Sequence, residues 1–194
     1  MCDQSQLVWK EIDLMKTTSA AVVIFFITLG SAAFACAQSS PQKQPTPSAE
    51  LREQDYFAGN WRLTGETKAS PFGPGGQKFD STERLEWMPG GFFLVARSYE
   101  GDKWVGMTII TYDVDAKVLT HTTYQASGRV EVMRGTTQGD TVTFYQDGKV
   151  KGKPVKERMV IKKVSPVLYT FKFEIAPEGG DWSLVYEGKG DKMS

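Results

Sequence analysis

The chain has 194 residues, with 23 basic and 23 acidic side chains, a formal net charge of zero and a hydrophobic fraction of 40%. That balance excludes electrostatic capture of nucleic acid as the main task, and the length suffices for one ordinary domain with a sizeable core. Two cysteines, Cys2 and Cys36, both precede the part that reads as folded, so that part must be stabilised by its core and not by a disulfide.

Residues 16–38 open on Lys16, continue as an apolar run over 20–29 and end in small residues, Ala33-Phe34-Ala35-Cys36-Ala37-Gln38. This is the pattern of a secretory signal, and it predicts a protein that works in the periplasm or outside the cell. An uncleaved anchor is the competing reading, since the run approaches a membrane-spanning length. Against it, Gly30-Ser31 interrupts the run, and the flank 38–42 carries no basic cluster. Asp3, Glu11 and Asp13 make an acidic leader of 1–14, whereas Met15-Lys16 is a normal opening, so a start at Met15 fits the signal better. Cys36 follows Ala35 and is a candidate lipidation site of a bacterial lipoprotein; cleavage after Ala35 or Ala37 explains the same residues. Removal of 1–38 takes Lys10 and Lys16 with Asp3, Glu11 and Asp13, leaving 21 basic and 20 acidic side chains, so the mature chain also stays nearly neutral.

Residues 39–48 are Ser, Gln, Pro and Thr with a single Lys43, kinked at Pro41, Pro45 and Pro47, and read as a tether. The domain occupies 49–194. It begins with a short helix over 49–58, for which Ser48 is a candidate N-cap and Gly59 a stop. After it the apolar period becomes two, over 61–67, 78–87, 92–99, 103–112, 118–124, 129–136, 141–146, 155–163, 168–175 and 182–189. Turn residues separate these segments, among them Gly101-Asp102, Ser127-Gly128, Asp147-Gly148 and Pro177-Glu178-Gly179-Gly180. The expectation is an all-β, antiparallel meander of about ten strands, either a closed up-and-down barrel or a two-sheet sandwich.

A three-residue Pro89-Gly90-Gly91 loop would set Trp87 opposite Phe93, Leu85 opposite Val95 and Glu83 opposite Arg97. A two-residue turn at Gly101-Asp102 would set Tyr99 opposite Trp104, Arg97 opposite Gly106 and Phe93 opposite Ile110. Both select one inner face, with Phe79, Glu83, Leu85, Trp87, Phe93, Val95, Arg97, Tyr99, Trp104, Ile110 and Tyr112 on it. Glu83 and Arg97 then form a pair that either holds the polar head of a ligand or only fixes register.

Three other patterns carry less. His121 shares a face with Leu119 and Thr123, and no second histidine or cysteine in the domain completes a zinc set. Asp113-Val114-Asp115 reads as a turn, not a calcium loop. The basic run 149–163 contains one acid, Glu157, and could touch an anionic membrane surface or glycan, but alternation turns Lys156, Arg158 and Lys162 to the outer strand face, which reads as solvated.

Gly59-Asn60-Trp61, directly after a short helix, resembles the Gly-x-Trp signature of the lipocalin and calycin superfamily. With Trp87-Met88-Pro89-Gly90-Gly91-Phe92-Phe93-Leu94 and Tyr112-Asp113-Val114-Asp115-Ala116-Lys117, the stretch 51–189 is similar to a bacterial family of calycin-like barrels. The resemblance implies a calycin-like barrel in which Trp61 closes one end and a basic side chain of the last strand, here Lys189, lies across its ring. It implies no chemistry. Similar haem-binding barrels place a histidine near the chain end, whereas the single histidine here is His121, so no haem or other cofactor is expected.

The function expected is non-covalent binding of a small apolar or amphipathic molecule inside the barrel, with Glu83, Arg97, Tyr99, Trp104 and Tyr112 as the candidate ligand-binding residues. No nucleophile elbow, phosphate loop or nucleophilic cysteine marks an enzyme. Acid and base chemistry at Glu83 or His121, and an envelope interaction module with a filled barrel, are the alternatives. Contact with a membrane is expected only through a lipid anchor or an uncleaved signal.

Overall fold

The computed structural model describes residues 45–194. The stretch read as a signal, the candidate lipidation residue Cys36 and the first part of the expected tether lie outside them.

The Ser48 hydroxyl accepts the Leu51 amide at 3.2 Å and so caps helix α1, Ala49–Arg52. The chain then tightens into a 3-10 turn, Glu53–Phe57, ending before Gly59, which already belongs to the first strand. Ten strands follow: β1 Gly59–Thr67, β2 Lys78–Trp87, β3 Leu94–Glu100, β4 Lys103–Asp113, β5 Val118–Gln125, β6 Val130–Gln138, β7 Thr141–Val150, β8 Lys153–Ser165, β9 Leu168–Pro177 and β10 Ser183–Lys192. Each pairs antiparallel with its chain neighbours, and β1 pairs with β10, from Trp61 opposite Lys192 to Thr67 opposite Tyr186. The meander therefore closes into an up-and-down barrel, and the sandwich is excluded. Closure removes the two sheet edges that an open meander would leave unpaired.

Hairpin connections alternate between the two ends. The helix and 3-10 turn plug one of them. There Tyr56 donates its hydroxyl to the carbonyls of Ser165 and Leu168 at 2.7 and 2.8 Å, Gln54 Nε2 donates to Thr137 Oγ1 at 3.3 Å, and Lys163 Nζ donates to the Glu53 carbonyl at 3.0 Å. Trp61 is completely buried beneath the plug; its indole N–H donates to the Phe57 carbonyl at 2.7 Å, and its ring packs on Tyr56 and Tyr169. The cation over that ring is Lys192, with Nζ 5.2 Å from the centroid. The expected Lys189 is instead ion-paired with Asp191 at 3.0 Å. Trp61 pairs in register with Lys192, three residues further along β10, so Lys192 alone is level with the ring.

The β2–β3 register differs from expectation by one residue. Met88 donates its amide to the Phe93 carbonyl at 2.9 Å, so the loop holds four residues, with Phe92 included. Glu83 consequently faces Ser98, and Arg97 stands opposite Arg84 on the outer face. A second irregularity between Ser98 and Tyr99 inserts Val105 into β4, and Tyr99 then pairs with Trp104 as expected. The two irregularities offset each other. The inner face of β2, and that of β4 from Gly106 to Tyr112, are as the alternation predicts; Trp104, beyond the bulge, is exposed instead of inward, and β3 is reversed, with Leu94 and Ala96 buried in the core.

Asp147-Gly148 is not a turn. β7 continues to Val150, and the hairpin turns at Lys151 and Gly152, with φ of 49° and 79°. Gly148 stands opposite Val155, where a Cβ would lie 2.8 Å from the Glu157 carboxyl carbon. Its glycine serves a close approach inside a strand. Asp113 behaves as a turn residue, its Oδ1 accepting the amides of Asp115 and Ala116 at 3.1 and 2.9 Å.

One seam in the wall is incomplete. β6 and β7 pair from Gln138 opposite Thr141 only as far as Arg134 opposite Tyr145, although β6 starts at Val130 and β7 runs to Val150. A cleft of about 500 Å³ lies at this seam, bordered by Val132, Tyr145, Asp147 and Glu157.

Candidate functional site

A cavity of about 810 Å³ occupies the barrel between the plug and the opposite, open end. Its character follows from which strand supplies each inward residue. β1, β9 and β10 contribute Leu63, Phe171, Phe173, Ile175 and Tyr186, joined by Phe79 of β2. These aromatic rings are organised: Phe173 stacks on Tyr186 with centroids 5.0 Å apart, and Phe79 on Phe171 at 6.1 Å. The opposite wall is polar, with Ser98 of β3, Thr108 of β4, His121 and Thr123 of β5, Glu131 of β6 and Glu83 of β2. Thr108 and Thr123 hydrogen-bond through their hydroxyls at 2.9 Å. An annex of about 60 Å³ shares Glu83, Thr108, His121 and Tyr169 with the cavity and reaches Gln54 and Phe57 of the plug. Arg129, Lys149 and Lys151 stand at the open mouth and are exposed.

Burial shapes the protonation of this interior. Glu83 receives one hydrogen bond, from Ser98 Oγ at 2.9 Å, and desolvation outweighs it, holding the carboxyl above its ordinary value. Burial lowers His121 to about 4, so the imidazole is neutral at physiological pH, and its Nδ1 is buried without a partner. The phenols of Tyr169 and Tyr186 are pushed up by burial first and by nearby carboxylate charge second.

A stability profile follows from the two opposite shifts. Glu83 binds its proton more tightly when folded, so its favourable contribution is complete below the ordinary carboxylate pKa and is lost as pH rises through the folded value. His121 binds its proton less tightly when folded, so its contribution is complete above 6.5 and is lost as pH falls towards 4, a displacement equivalent to up to about 3 kcal/mol. Glu83→Gln should therefore raise the urea midpoint at pH 7.5 and lose that advantage at pH 4.5. His121→Phe should flatten the acid limb between pH 6.5 and 4. An E83Q midpoint below wild type at pH 7.5 would contradict the raised carboxyl.

Of the five residues singled out from the sequence, the structure places Glu83 in the cavity wall. Arg97 lies outside and pairs with Glu86 at 3.4 Å, because of the longer β2–β3 loop. Tyr99 and Trp104 sit at the hairpin end beside the bulge, and Trp104 is 44% exposed. Tyr112 points inward but packs against the core under the plug, outside the cavity lining. Arg158 is on the outer face as alternation predicts, ion-paired with Glu174 at 2.6 Å and 4.2 Å from the Trp182 ring centroid. Sequence reasoning missed Ser98, Thr108, Glu131 and Glu157 as cavity residues. Glu157 was findable, since it alternates in phase with Val155, Met159 and Ile161, all apolar.

Among the described residues no group of three or more His, Cys, Asp or Glu is arranged to hold a metal ion.

Fold and site together define a closed ten-stranded antiparallel barrel with one plugged end and an internal cavity, half aromatic and half polar. The chain belongs to the DUF1579 family, described as a protein of unknown function, whose pattern matches residues 46–191. Among solved structures it is similar to Rv2717c from M. tuberculosis, with 12% identity and a TM-score of 0.51 over 76% of this chain and 99% of that one, a likeness of fold. A DUF3598-family protein of unknown function from Nostoc punctiforme aligns over 75% of this chain and 100% of its own, with 8% identity and a TM-score of 0.24. No curated protein matches the sequence.

Proposed function

We propose that this is an exported, calycin-like barrel that binds a small amphipathic molecule non-covalently in its interior. The supporting observation is the cavity of about 810 Å³, within the size range of ligand sites, with one aromatic wall and one hydrogen-bonding wall. A filled barrel serving only as an interaction module would not keep such a space. Export rests on the pattern of residues 16–38, and Cys36 offers a lipid anchor on the same grounds.

Uptake of Nile red, a neutral apolar dye, by the exported full-length protein tests the reading. Saturable binding with one site is expected in wild type, and it should be lost in Thr123→Trp, whose indole would occupy the cavity, while the melting transition persists. Uptake unchanged in T123W would place the dye elsewhere and remove the site. Native mass spectrometry of the same preparation should release a bound small molecule on denaturation.

The second reading, an enzyme using acid and base chemistry, draws on Glu83 and His121 lining one cavity with protonation moved in opposite directions. It requires that extracted cargo change chemically with time and that Glu83→Gln or His121→Ala abolish the change.

A further inference from the structure

We infer that the cavity selects amphiphiles with a cationic nitrogen head and discriminates against fatty-acid-like anions. This rests on the interior-binding reading above.

Three carboxylates, Glu83 of β2, Glu131 of β6 and Glu157 of β8, reach the cavity from three directions. Only one has a cationic partner among the described residues, Glu131 with Arg129 at 2.9 Å. Glu83 is hydrogen-bonded by the Ser98 hydroxyl, and Glu157, 5% exposed, by the Gln146 amide. Both donors are neutral, and among the described residues neither carboxylate has an ion-pair partner; Arg134 and Lys156 border the seam cleft that Glu157 also lines, without pairing with it. His121 supplies no counter-charge, because its imidazole remains neutral down to about pH 4. All three carboxylates line the same cavity as Tyr186, whose phenol is pushed up by burial first and by their charges second.

A desolvated carboxylate without a partner is unfavourable, and it is relieved by taking a proton or by meeting a cation. An ammonium or amidinium group brings the missing cation and several donors, while its apolar part lies along the Phe173–Tyr186 stack. A carboxylate head adds a further negative charge where screening is weak. Arg129, Lys149 and Lys151 do not reverse this preference. They are exposed at the mouth, where solvent screens them, and Arg129 is already paired.

The test uses three ligands with the same tail, dodecylamine, dodecanol and dodecanoate, each below its solubility limit or micellar concentration. Each competes with Nile red for the exported full-length protein at pH 7 and moderate salt. The amine should displace the dye at a concentration at least about tenfold lower than the alcohol, with dodecanoate weakest. In the Glu83→Gln/Glu157→Gln double variant the amine and the alcohol should converge, while retained dye binding shows that the cavity persists. Dodecanoate competing as well as the amine, with the dye still bound in wild type, would overturn the cation preference and leave the cavity reading standing. Absence of dye binding in wild type, with no response to any of the three, would overturn both.

Discussion

Trp61→Ala is expected to remove a large part of the stability of this domain. The side chain is fully buried and packs on Tyr56 and Tyr169, and truncating such a residue costs about 3–5 kcal/mol. The Phe57 carbonyl also loses its buried indole donor, a further contribution of about 1 kcal/mol. Lys192 loses the ring face beneath its ammonium group. Against a typical stability of about 5–15 kcal/mol, the loss should leave a marginal protein at 37 °C. Trp61→Phe keeps most of the volume and should cost about 1–2 kcal/mol, mainly for the unsatisfied carbonyl. Urea unfolding followed by circular dichroism measures both. A W61A variant within 1 kcal/mol of wild type would show that the plug does not depend on this residue.

The second large effect is expected at the barrel closure. Gly65 of β1 and Gly188 of β10 pair directly opposite each other. A Cβ on Gly65 would lie 2.9 Å from the Gly188 Cα, and one on Gly188 would lie 2.6 Å from Phe171 Cζ and 3.1 Å from the Gly65 Cα. The two strands approach each other too closely for any side chain, and the Phe79 and Phe171 rings lie over the bare backbone. Alanine at either position must push a ring into the cavity or part the strands that join the first and last segments of the chain. Gly188→Ala should therefore cost about 3 kcal/mol or more, beyond the ordinary penalty of overpacking because backbone atoms are involved. Gly73→Ala is the control, with no atom other than those of its chain neighbours within 4 Å of its added methyl, and should stay within about 0.5 kcal/mol. Equal midpoints for G188A and G73A would show that the closure tolerates a side chain.

Strand number and order were legible because each segment alternates strongly and most are followed within a few residues by Gly, Asp or Pro, although Asp147-Gly148 marked a position inside β7 and not its end. The inward faces of β2, and of β4 from Gly106 to Tyr112, were legible for the same reason, whereas Trp104 was misplaced because the irregularity at Val105 interrupts the alternation. The face of β3 was not legible, since it depends on a single loop residue, Phe92, whose apolar character suits a strand and a loop equally. That one residue removed Arg97 from the interior and put Ser98 there. The partner of Trp61 was misplaced because Lys189 and Lys192 lie on the same short strand, and only the β1–β10 register distinguishes them. The cavity itself had no local signature. It arises where Phe171 and Phe173 on one side meet Thr108 and Thr123 on the other, residues 48 or more positions apart in the chain and joined only by closure. Glu157 was masked by the lysines around it, although its phase already pointed inward.

The unfinished pairing of β6 with β7 gives the barrel a girth that can change cheaply. Along a complete ladder, widening the bore means breaking backbone hydrogen bonds in sequence. Where β6 has left β7, no such bonds remain to be broken, and the other nine ladders can stay intact while the wall parts there. Backbone amides facing the gap should accordingly exchange with solvent well before those of the β8–β9 ladder, giving this otherwise closed cylinder one expandable side.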